Sequence, residues 1–344
     1  DKVVKNKYKK KKWNKVDVLI IDEVSMMSDT FLETLHEVGK NVKKSEKPFG
    51  GIQVIFSGDF YQLPPISRDS EYIKYCFESE IWDEVMDTTI ELKKIFRQTD
   101  LDYIKMLNQI RVGKLSKKSL NLLESRVNLK LPENIEPTIL HSSRLKVEHI
   151  NKMKINKLDE EERIFKMKVI NDTKGGYKDF DISTLKNNTL AEDEFKTKKG
   201  AQVMCIMNME SSGHPGIVNG SRGYIKDFTK DGLPVVQFHS GIVHVMKPQI
   251  WKSDTCEGLS IEQLPLIHAW AITIHKSQGL SIDQARMNIG SNIFECGQTY
   301  VALSRVKNLN GLFIDELDIS KIKINKKVQE FYNKIKHNTP IQES

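Results

Sequence analysis

The sequence lacks long hydrophobic runs, paired cysteines and a secretory signal. No apolar stretch approaches the roughly 18 residues that a helix needs to cross a bilayer, and the lysine-rich start does not fit a signal peptide. The 4 cysteines among 344 residues lie far apart and form no CxxC pair. This spacing argues against a zinc site or a disulfide framework and favours a reducing, intracellular compartment.

Composition and charge indicate a globular chain. With 344 residues, 39% of them hydrophobic, the chain is long enough for two or three domains with a sizeable core. The net charge of +7 permits a polyanionic partner without requiring one. Lysine occupies 8 of the first 15 positions. We interpret residues 1–12 as a solvated linker, although nuclear import or phosphate contact would also use such a run.

Two acidic residues follow the first apolar run. Val18–Ile21 leads into Asp22 and Glu23, and a second run, Ile52–Phe56, leads into the polar string SGDFYQLPP. Short runs of this kind are typical of strands buried on both faces of a parallel sheet, whose carboxyl ends open into the ligand crevice. An Asp-Glu pair there suits an NTPase, with one carboxylate for Mg²⁺ and one for the attacking water. The alternative is a strand end that is merely acidic and solvated.

Further along, helix signals alternate with strand signals. Ser28 or Asp29 can cap one helix, Asp100 can cap another that stops at Gly113, and Gln298–Val306 predicts a third. Residues 156–197 are polar and indicate an irregular connection. Closely spaced β-like runs between 201 and 245, separated by turn residues, predict a small inserted barrel.

The order of these strings resembles one helicase group. It is similar to the superfamily-one 5′-to-3′ DNA helicases of the PIF-one (petite integration frequency) and RecD-like type. The strings GDFYQLPP and PLIHAWAITIHKSQG are the most specific, and AQVM followed by NGSRG favours the PIF-one branch. The matching strings run from Val18 to Ile314 and are IIDEVSM (motif II), SGDFYQLPP (motif III), IFRQ, ILHSSRLKVEHIN, KKGAQVM, GIVNGSRGYI, PLIHAWAITIHKSQGLSID (motif V) and YVALSRV (motif VI).

The resemblance implies a fold and a function. The fold is α/β: RecA-like P-loop NTPase motor domains, with parallel sheets and flanking helices, and an inserted small SH3-like β-barrel. The function is ATP-dependent translocation on single-stranded DNA and unwinding at duplex junctions, in DNA repair, recombination, telomere or replication maintenance, in the nucleus or another compartment that contains DNA. The implied domains are a lysine-rich linker (1–12), the remainder of the first RecA-like domain (13–95), the second RecA-like domain (96–157 and 265–330), the inserted subdomain (158–264) and a tail (331–344).

Residue roles carry over onto the matching positions. Asp22 would hold Mg²⁺, Glu23 would activate the attacking water, and Gln62 would sense the γ-phosphate of ATP. Arg97 and Arg305 would act as arginine fingers, which contribute about 10³ to 10⁵ in rate in NTPases. The residues implied to bind the nucleotide are Gln62, Arg97, Gly279 and Arg305.

A second set of residues is implied to contact the nucleic acid. Imidazole and hydroxyl groups bind phosphates without reading sequence, and aromatic rings stack on bases in single-strand grooves. For Phe60 and Tyr61 the alternative is packing beneath the Pro-Pro turn, and the NGSRG string is equally compatible with a simple turn. The set is Phe60, Tyr61, Asn219, Arg222, His275 and Ser277.

One expected motif is not in the sequence. The P-loop pattern G-x-x-x-x-G-K-[ST] does not occur. We therefore expect the chain to be the rear part of a helicase, with a missing N-terminal motor segment as its partner, and to be inactive alone. A nonenzymatic single-stranded-DNA-binding remnant is the second hypothesis. A metal-dependent nuclease using Asp22, Glu23 and Asp59 is the third and weaker one, since no further cluster of metal ligands is evident.

Overall fold

The computed structural model describes residues 7–66, 74–131, 136–172, 179–209, 216–253 and 256–338. Among these residues no helix is both long and apolar enough to cross a membrane. The four cysteines are free thiols.

Helices and short strands alternate along the chain, as the sequence predicts. The helices are α1 (Lys7–Asn14), α2 (Asp29–Lys43), α3 (Trp82–Val85), α4 (Leu101–Arg111), α5 (Lys117–Glu124), α6 (Arg144–Asn156), α7 (Asp179–Asn187), α8 (Gln298–Ser304) and α9 (Lys326–Asn338). The strands are β1 (Val18–Ile21), β2 (Gln53–Phe56), β3 (Thr138–His141), β4 (Arg163–Lys166), β5 (Lys168–Asn171), β6 (Glu194–Thr197), β7 (Gln202–Cys205), β8 (Arg222–Phe228), β9 (Pro234–Phe238), β10 (Val243–Val245), β11 (Gln249–Lys252), β12 (Leu259–Gln263), β13 (Leu266–His268), β14 (Ala271–Thr273), β15 (Ala285–Ile289) and β16 (Leu312–Leu317).

The chain forms two compact units. Unit 1 combines residues 1–128 with 288–344, and unit 2 contains residues 129–287. Unit 1 therefore holds the strands that precede motifs II and III together with the helix of motif VI. The domain division implied by the resemblance follows the family's motor domains and stays a prediction.

In unit 1, β1 and β2 form a parallel pair in which Ile21 lies opposite Phe56. The prediction that β1 is buried on both faces is wrong, because Val18 is 46% exposed and Ile20 67% exposed. Among the described residues β1 pairs only with β2. One face of this pair is thus exposed, and only the opposite face packs into the core of unit 1.

Local signals in unit 1 act as the sequence predicts. The hydroxyl of Ser28 accepts the N–H of Phe31 at the start of α2. The carboxylate of Asp100 accepts two backbone N–H groups at the start of α4. After α4 the backbone turns at Gly113, whose φ of 67° favours glycine.

Both ends of the predicted domain scheme differ from the structure. Residues 7–14 of the lysine-rich segment form α1 instead of a flexible linker. Residues 331–338 of the predicted tail belong to α9, and Phe331 and Tyr332 pack into the core of unit 1. Burial of aromatic side chains stabilises α9 despite its many lysines. Residues 1–6 and 339–344 lie outside the described residues.

Unit 2 contains a parallel group of strands. β3 pairs in parallel with β14 on one side and with β15 on the other. The Asn151 side chain on α6 exchanges two 2.9 Å hydrogen bonds with the backbone of Ala271. This exchange fixes α6 against β14, directly upstream of the HKSQG string.

The inserted region of unit 2 is antiparallel. β10, β9, β8, β7 and β13 form one five-stranded sheet in that order. β12 pairs on one side with β11 and on the other with β5, which lies in the stretch predicted to be irregular. The predicted change to β structure is confirmed, whereas closure of these strands into an SH3-like barrel stays a prediction.

A histidine in the core of unit 2 makes this unit sensitive to acid. The His268 ring lies 5.1 Å from the ring of Phe195 and 5.4 Å from that of Trp270. Burial lowers the pKa of His268 to about 4, although a backbone hydrogen bond at Lys196 opposes the shift. The unfolded chain therefore binds a proton as the pH falls below about 6.5, and the folded chain does not until about pH 4.

We expect acid to destabilise the protein through this residue. Between pH 7 and pH 5 the free energy of unfolding should fall by about 2 kcal/mol from His268 alone, and His268→Phe should remove that part. Urea titrations at both pH values measure the difference. The same substitution at exposed His149 should leave it in place, and an unchanged pH dependence in His268→Phe would refute the assignment.

Candidate functional site

The acidic pair lies where β1 ends. Asp22 is exposed, and its Oδ1 accepts the N–H of Glu23 at 2.9 Å. Glu23 adopts φ 52° and ψ 44°, a left-handed conformation that is uncommon for a residue with a side chain. A tight 3₁₀ turn, Val24–Met26, follows at once. The Glu23 backbone is thus held in a strained shape of the kind that clusters at functional sites.

Motif III packs directly against this turn. Ser57 donates its N–H to Ile21 and accepts the N–H of Val24, at 2.8 and 3.0 Å. A Cβ atom on Gly58 would lie 2.8 Å from the backbone nitrogen of Val24. Only glycine allows this approach, so Gly58 fixes the distance between motif III and the Glu23 backbone.

Two arginines lie within electrostatic range of Glu23. Burial and the neighbouring charge of Arg97 lower the pKa of Arg305 to about 10, whereas Tyr300 and Glu23 raise it. Burial also lowers the pKa of Arg97, against opposing contributions from Tyr300 and Glu23. Two like charges brought together in a buried place are typical of a site for a polyanion.

Hydrogen bonds fix Arg305 and the residue that follows Arg97. The Arg305 Nε donates to the carbonyl of Val301 at 3.0 Å, and its Nη2 donates to Ser304 at 2.8 Å. Gln98, next to Arg97, donates from Nε2 to the carbonyls of Ser304 and Val306, both at 3.0 Å. The IFRQ string and the end of α8 are therefore joined directly.

Gln62 has an unsatisfied amide in the described part of the chain. Its Oε1 is buried and has no hydrogen-bond partner among the described residues. A Cβ atom on Gly297 would lie 2.3 Å from the Gln62 carbonyl oxygen. Gly297 directly precedes α8 and Arg305 directly follows it, so one helix connects the position of Gln62 to that of Arg305.

The residues present fit a nucleotide with Mg²⁺. The exposed carboxylate of Asp22 suits Mg²⁺, which takes one or two carboxylates and fills its remaining positions with water and phosphate. The half-buried Arg97 and the buried Arg305 offer planar donors to phosphate oxygens. The Oε1 of Gln62, which has no partner among the described residues, can accept a hydrogen bond from a water near the phosphate.

Four of the predicted nucleic-acid contacts are wrong for this structure, because their side chains are buried. Phe60 is 6% exposed and has edge contacts to several rings, including Phe77 at 4.9 Å. Tyr61 is 8% exposed and stacks on Tyr332 at 4.8 Å with a 6° interplanar angle. These rings stabilise the core and present no face to a base.

The other two buried residues lie in unit 2. Ser277 is fully buried, and its hydroxyl donates to the carbonyl of Ile274 at 2.7 Å. Arg222 is 4% exposed and donates to the Thr138 hydroxyl. Burial lowers the pKa of Arg222 to about 10, against the opposing charge of Asp283. Neither side chain is available to a DNA strand.

The remaining predicted residues of unit 2 keep their candidate roles. Asn219 is exposed, and its N–H is donated to Asn208 at 2.9 Å. His275 is half-buried in the turn after β14. Gly279 has a φ of 78°, and a Cβ there would contact nothing within 4 Å. His275 and Gly279 both lie in unit 2, and their roles stay predictions.

Sequence reasoning missed several residues beside the site. Arg111 and Tyr332 both bind Asp59 of motif III. Gly58 closely approaches Val24, and Gly297 closely approaches the Gln62 carbonyl. In unit 2, Tyr224 on β8 is 41% exposed, unlike the buried aromatic residues Phe60 and Tyr61. The local strings gave no signal for these residues except the glycine in SGD.

Comparison with known proteins gives consistent matches. A family model described as "PIF1-like helicase" matches residues 2–121, and one described as "DNA helicase Pif1, 2B domain" matches residues 182–228. The "ATP-dependent DNA helicase PIF1" of Xenopus laevis is 36% identical over 340 residues, which cover 96% of this chain and 52% of that protein. The chain thus spans about half the length of the curated relatives it matches.

Two solved structures extend the comparison. The crystal structure of Pif1 helicase from Candida albicans is 34% identical, with a TM-score of 0.77, and the match covers 97% of this chain and 80% of that one. Pif1 helicase from Bacteroides in complex with ADP-AlF3 and ssDNA is 29% identical, with a TM-score of 0.66, and the match covers 97% and 78%.

The α/β fold, with parallel strands that lead into an acidic pair and a polar loop, defines the RecA-like class. Within that class the match to the Candida albicans protein spans nearly the whole of this chain and most of the other. The chain belongs to the PIF1-like helicase family. The resemblance stated from the motifs alone is confirmed.

Proposed function

We propose that these 344 residues supply motifs II to VI of an ATP-dependent 5′-to-3′ DNA helicase. The observation that carries the proposal is the grouping of Glu23, Arg97 and Arg305 within unit 1, which also contains the unsatisfied amide of Gln62. Bringing two arginine side chains together away from water costs desolvation free energy, and a core that served packing alone would use apolar side chains instead. The names of the relatives support ATP as the nucleotide that is hydrolysed and DNA as the nucleic acid that is bound.

Each residue of the site has a role that its geometry supports. Asp22 would hold Mg²⁺, an ion that would neutralise part of the negative charge of the phosphates. Glu23, fixed by its left-handed backbone, would orient the attacking water and accept its proton. The arginine fingers, Arg97 and Arg305, would stabilise the charge that develops on the transferred phosphoryl group. Gln62 would sense the γ-phosphate.

A P-loop has to be supplied from outside these residues. Backbone amides and a lysine normally hold the β- and γ-phosphates, and the sequence contains no such motif. We propose that an N-terminal motor segment provides the P-loop. The curated relatives are longer than this chain and have room for such a segment. The exposed face of Val18 and Ile20 is available for such a segment.

On the DNA side we propose contacts from unit 2. His275 and Asn219 remain from the sequence, and Tyr224 adds an exposed ring that can stack on a base. The Bacteroides relative was crystallised with ssDNA, which supports this substrate. The predicted domain division, the SH3-like barrel and a role in DNA repair, recombination or telomere maintenance are part of the same proposal, as is action in the nucleus or another DNA-containing compartment.

A fusion protein tests the proposed function. We define the P-loop fusion as the segment that precedes motif II in a PIF1 relative, P-loop included, joined to Asp1. We expect the fusion to show ATPase activity stimulated by single-stranded DNA, and the 344 residues alone to show none above background, because positioning of the phosphates is lost. Phosphate release with and without an oligonucleotide measures both.

DNA binding by the 344 residues separates the alternatives. We expect weak binding whose log K falls with log salt by about 0.7 per phosphate contact, measured by fluorescence anisotropy. Binding without any ATPase activity in the fusion would favour the nonenzymatic remnant. Cleavage of labelled DNA with Mg²⁺ and no ATP would favour a nuclease, but Asp59 is engaged by Arg111 and no cluster of three metal-ligating side chains occurs in the described ranges.

A further inference from the structure

Motif III is bound by two side chains that no motif contains. Arg111, the last residue of α4, donates from Nε and Nη2 to the two carboxylate oxygens of Asp59, each at 2.8 Å. Tyr332 of α9 donates its hydroxyl to Asp59 at 3.2 Å and accepts the N–H of Phe60 at 3.2 Å. Bidentate pairs of this kind fix orientation as well as distance.

Stacking fixes the next residue in the same way. The Tyr61 ring lies on the Tyr332 ring at 4.8 Å, and the Arg111 guanidinium lies 4.6 Å from the Tyr61 centroid and 5.2 Å from that of Tyr332. Burial alone would lower the pKa of Arg111, but its hydrogen bonds and attraction to Asp59 raise it overall. The cation is therefore firmly held, and Asp59, Phe60 and Tyr61 are each attached to Tyr332.

The constraint continues to Gln62. The backbone N–H of Gln62 donates a hydrogen bond to the Asp59 carbonyl at 2.9 Å, so a turn joins the two residues. On the other side Gly297 approaches the carbonyls of Tyr61 and Gln62 so closely that a Cβ there would lie 2.7 and 2.3 Å from them. Gln62 is thus confined between the cluster at Asp59 and the start of α8.

We propose that Arg111 and Tyr332 are positioning residues that hold motif III so that the Gln62 amide faces the nucleotide. The inference rests on the proposed function, because Gln62 acts only if a nucleotide binds beside it. Neither side chain contacts the reacting atoms in this scheme. Each acts through Asp59 and the turn that Asp59 starts.

The first test measures whether the attachment exists in the 344-residue chain. Hydrogen exchange followed by mass spectrometry reports how often backbone amides open. We expect Arg111→Ala and Tyr332→Phe to speed exchange in peptides covering 58–63. The control is Arg126→Ala, which removes an arginine of the same unit that binds the carbonyls of Leu312 and Asn310; it should leave 58–63 unchanged.

The second test separates positioning from general stability. In the P-loop fusion we expect Arg111→Ala to lower kcat for ATP by about tenfold to a hundredfold with KM nearly unchanged, since displacement of a catalytic group by about 1 Å costs up to 10²-fold. Arg111→Lys keeps the positive charge but not the two parallel donors of the guanidinium. Compared with Arg111→Ala, it should therefore recover the urea midpoint of the parent but not its kcat. Tyr332→Phe keeps the stack and should have a smaller effect.

The outcomes distinguish the two proposals. If Glu23→Gln in the same fusion leaves turnover intact, the proposed function itself is wrong. If Glu23→Gln stops turnover while both Arg111 variants keep the kcat of the parent, the positioning inference alone is overturned. Full rescue of kcat by Arg111→Lys, or unchanged exchange at 58–63 in Arg111→Ala, would also overturn it.

Discussion

Replacing Glu23 with glutamine should stop ATP turnover in the P-loop fusion while nucleotide binding is retained. The amide has the shape of the carboxylate and keeps the left-handed backbone at this position, but it cannot accept a proton from the attacking water. Loss of a general base typically costs about 10²–10⁴ in rate. Phosphate release in the presence of single-stranded DNA measures turnover, and titration with a fluorescent ATP analogue measures binding.

A matched substitution controls for the loss of a negative charge. Glu37→Gln removes a carboxylate from the exposed side of α2, 3.9 Å from Lys40, and should leave turnover unchanged. A Glu23→Gln fusion that hydrolyses ATP as fast as the parent would show that Glu23 is not the base. The acidic pair would then be the solvated strand end that the sequence left open.

Arg305→Ala should slow hydrolysis in the P-loop fusion by about 10³ to 10⁵, the range found for arginine fingers. Arg305→Lys should not restore the rate, because one ammonium cannot keep the bonds to Val301 and Ser304 and also reach the phosphate. Single-turnover phosphate release measures the effect directly.

Folding should survive this change. The pKa of Arg305 is lowered to about 10 by burial and by Arg97, so the charged side chain is unfavourable in the folded state and its removal relieves that cost. This relief opposes the loss of packing and of the bonds to Val301 and Ser304, so we expect the urea midpoint of Arg305→Ala to stay near that of the parent. If turnover persists while the midpoint is unchanged, Arg305 does not reach the nucleotide.

The features predicted well from sequence are those set by neighbouring residues. Ser28 and Asp100 cap helices by bonds to N–H groups two or three positions away, and Gly113 ends α4 by its own conformation. The acidic pair lies at a strand end because the apolar run before it pairs with β2. In each case the cause lies within a few residues of the effect.

The failures concern contacts between distant parts of the chain. From the sequence, Phe60 and Tyr61 are compatible with stacking on a base. In the structure, Phe331 and Tyr332 of α9 pack against them instead. From the sequence, Arg222 is compatible with a phosphate contact. In the structure, its guanidinium donates a hydrogen bond to the Thr138 hydroxyl. A string that matches a family motif identifies the residue, but its exposure depends on partners that local patterns do not reveal.

The attachment of α9 to motif III also has a consequence for how the protein folds. Tyr332 and Asp59 are 273 positions apart, and all of unit 2 is synthesised between them. Contacts of such high sequence separation form late and slow folding. On the ribosome, which adds about 5–20 residues per second, motif III therefore remains without its aromatic cover for about 14 to 55 seconds, and its rings are exposed to chaperones or to misfolding during that time.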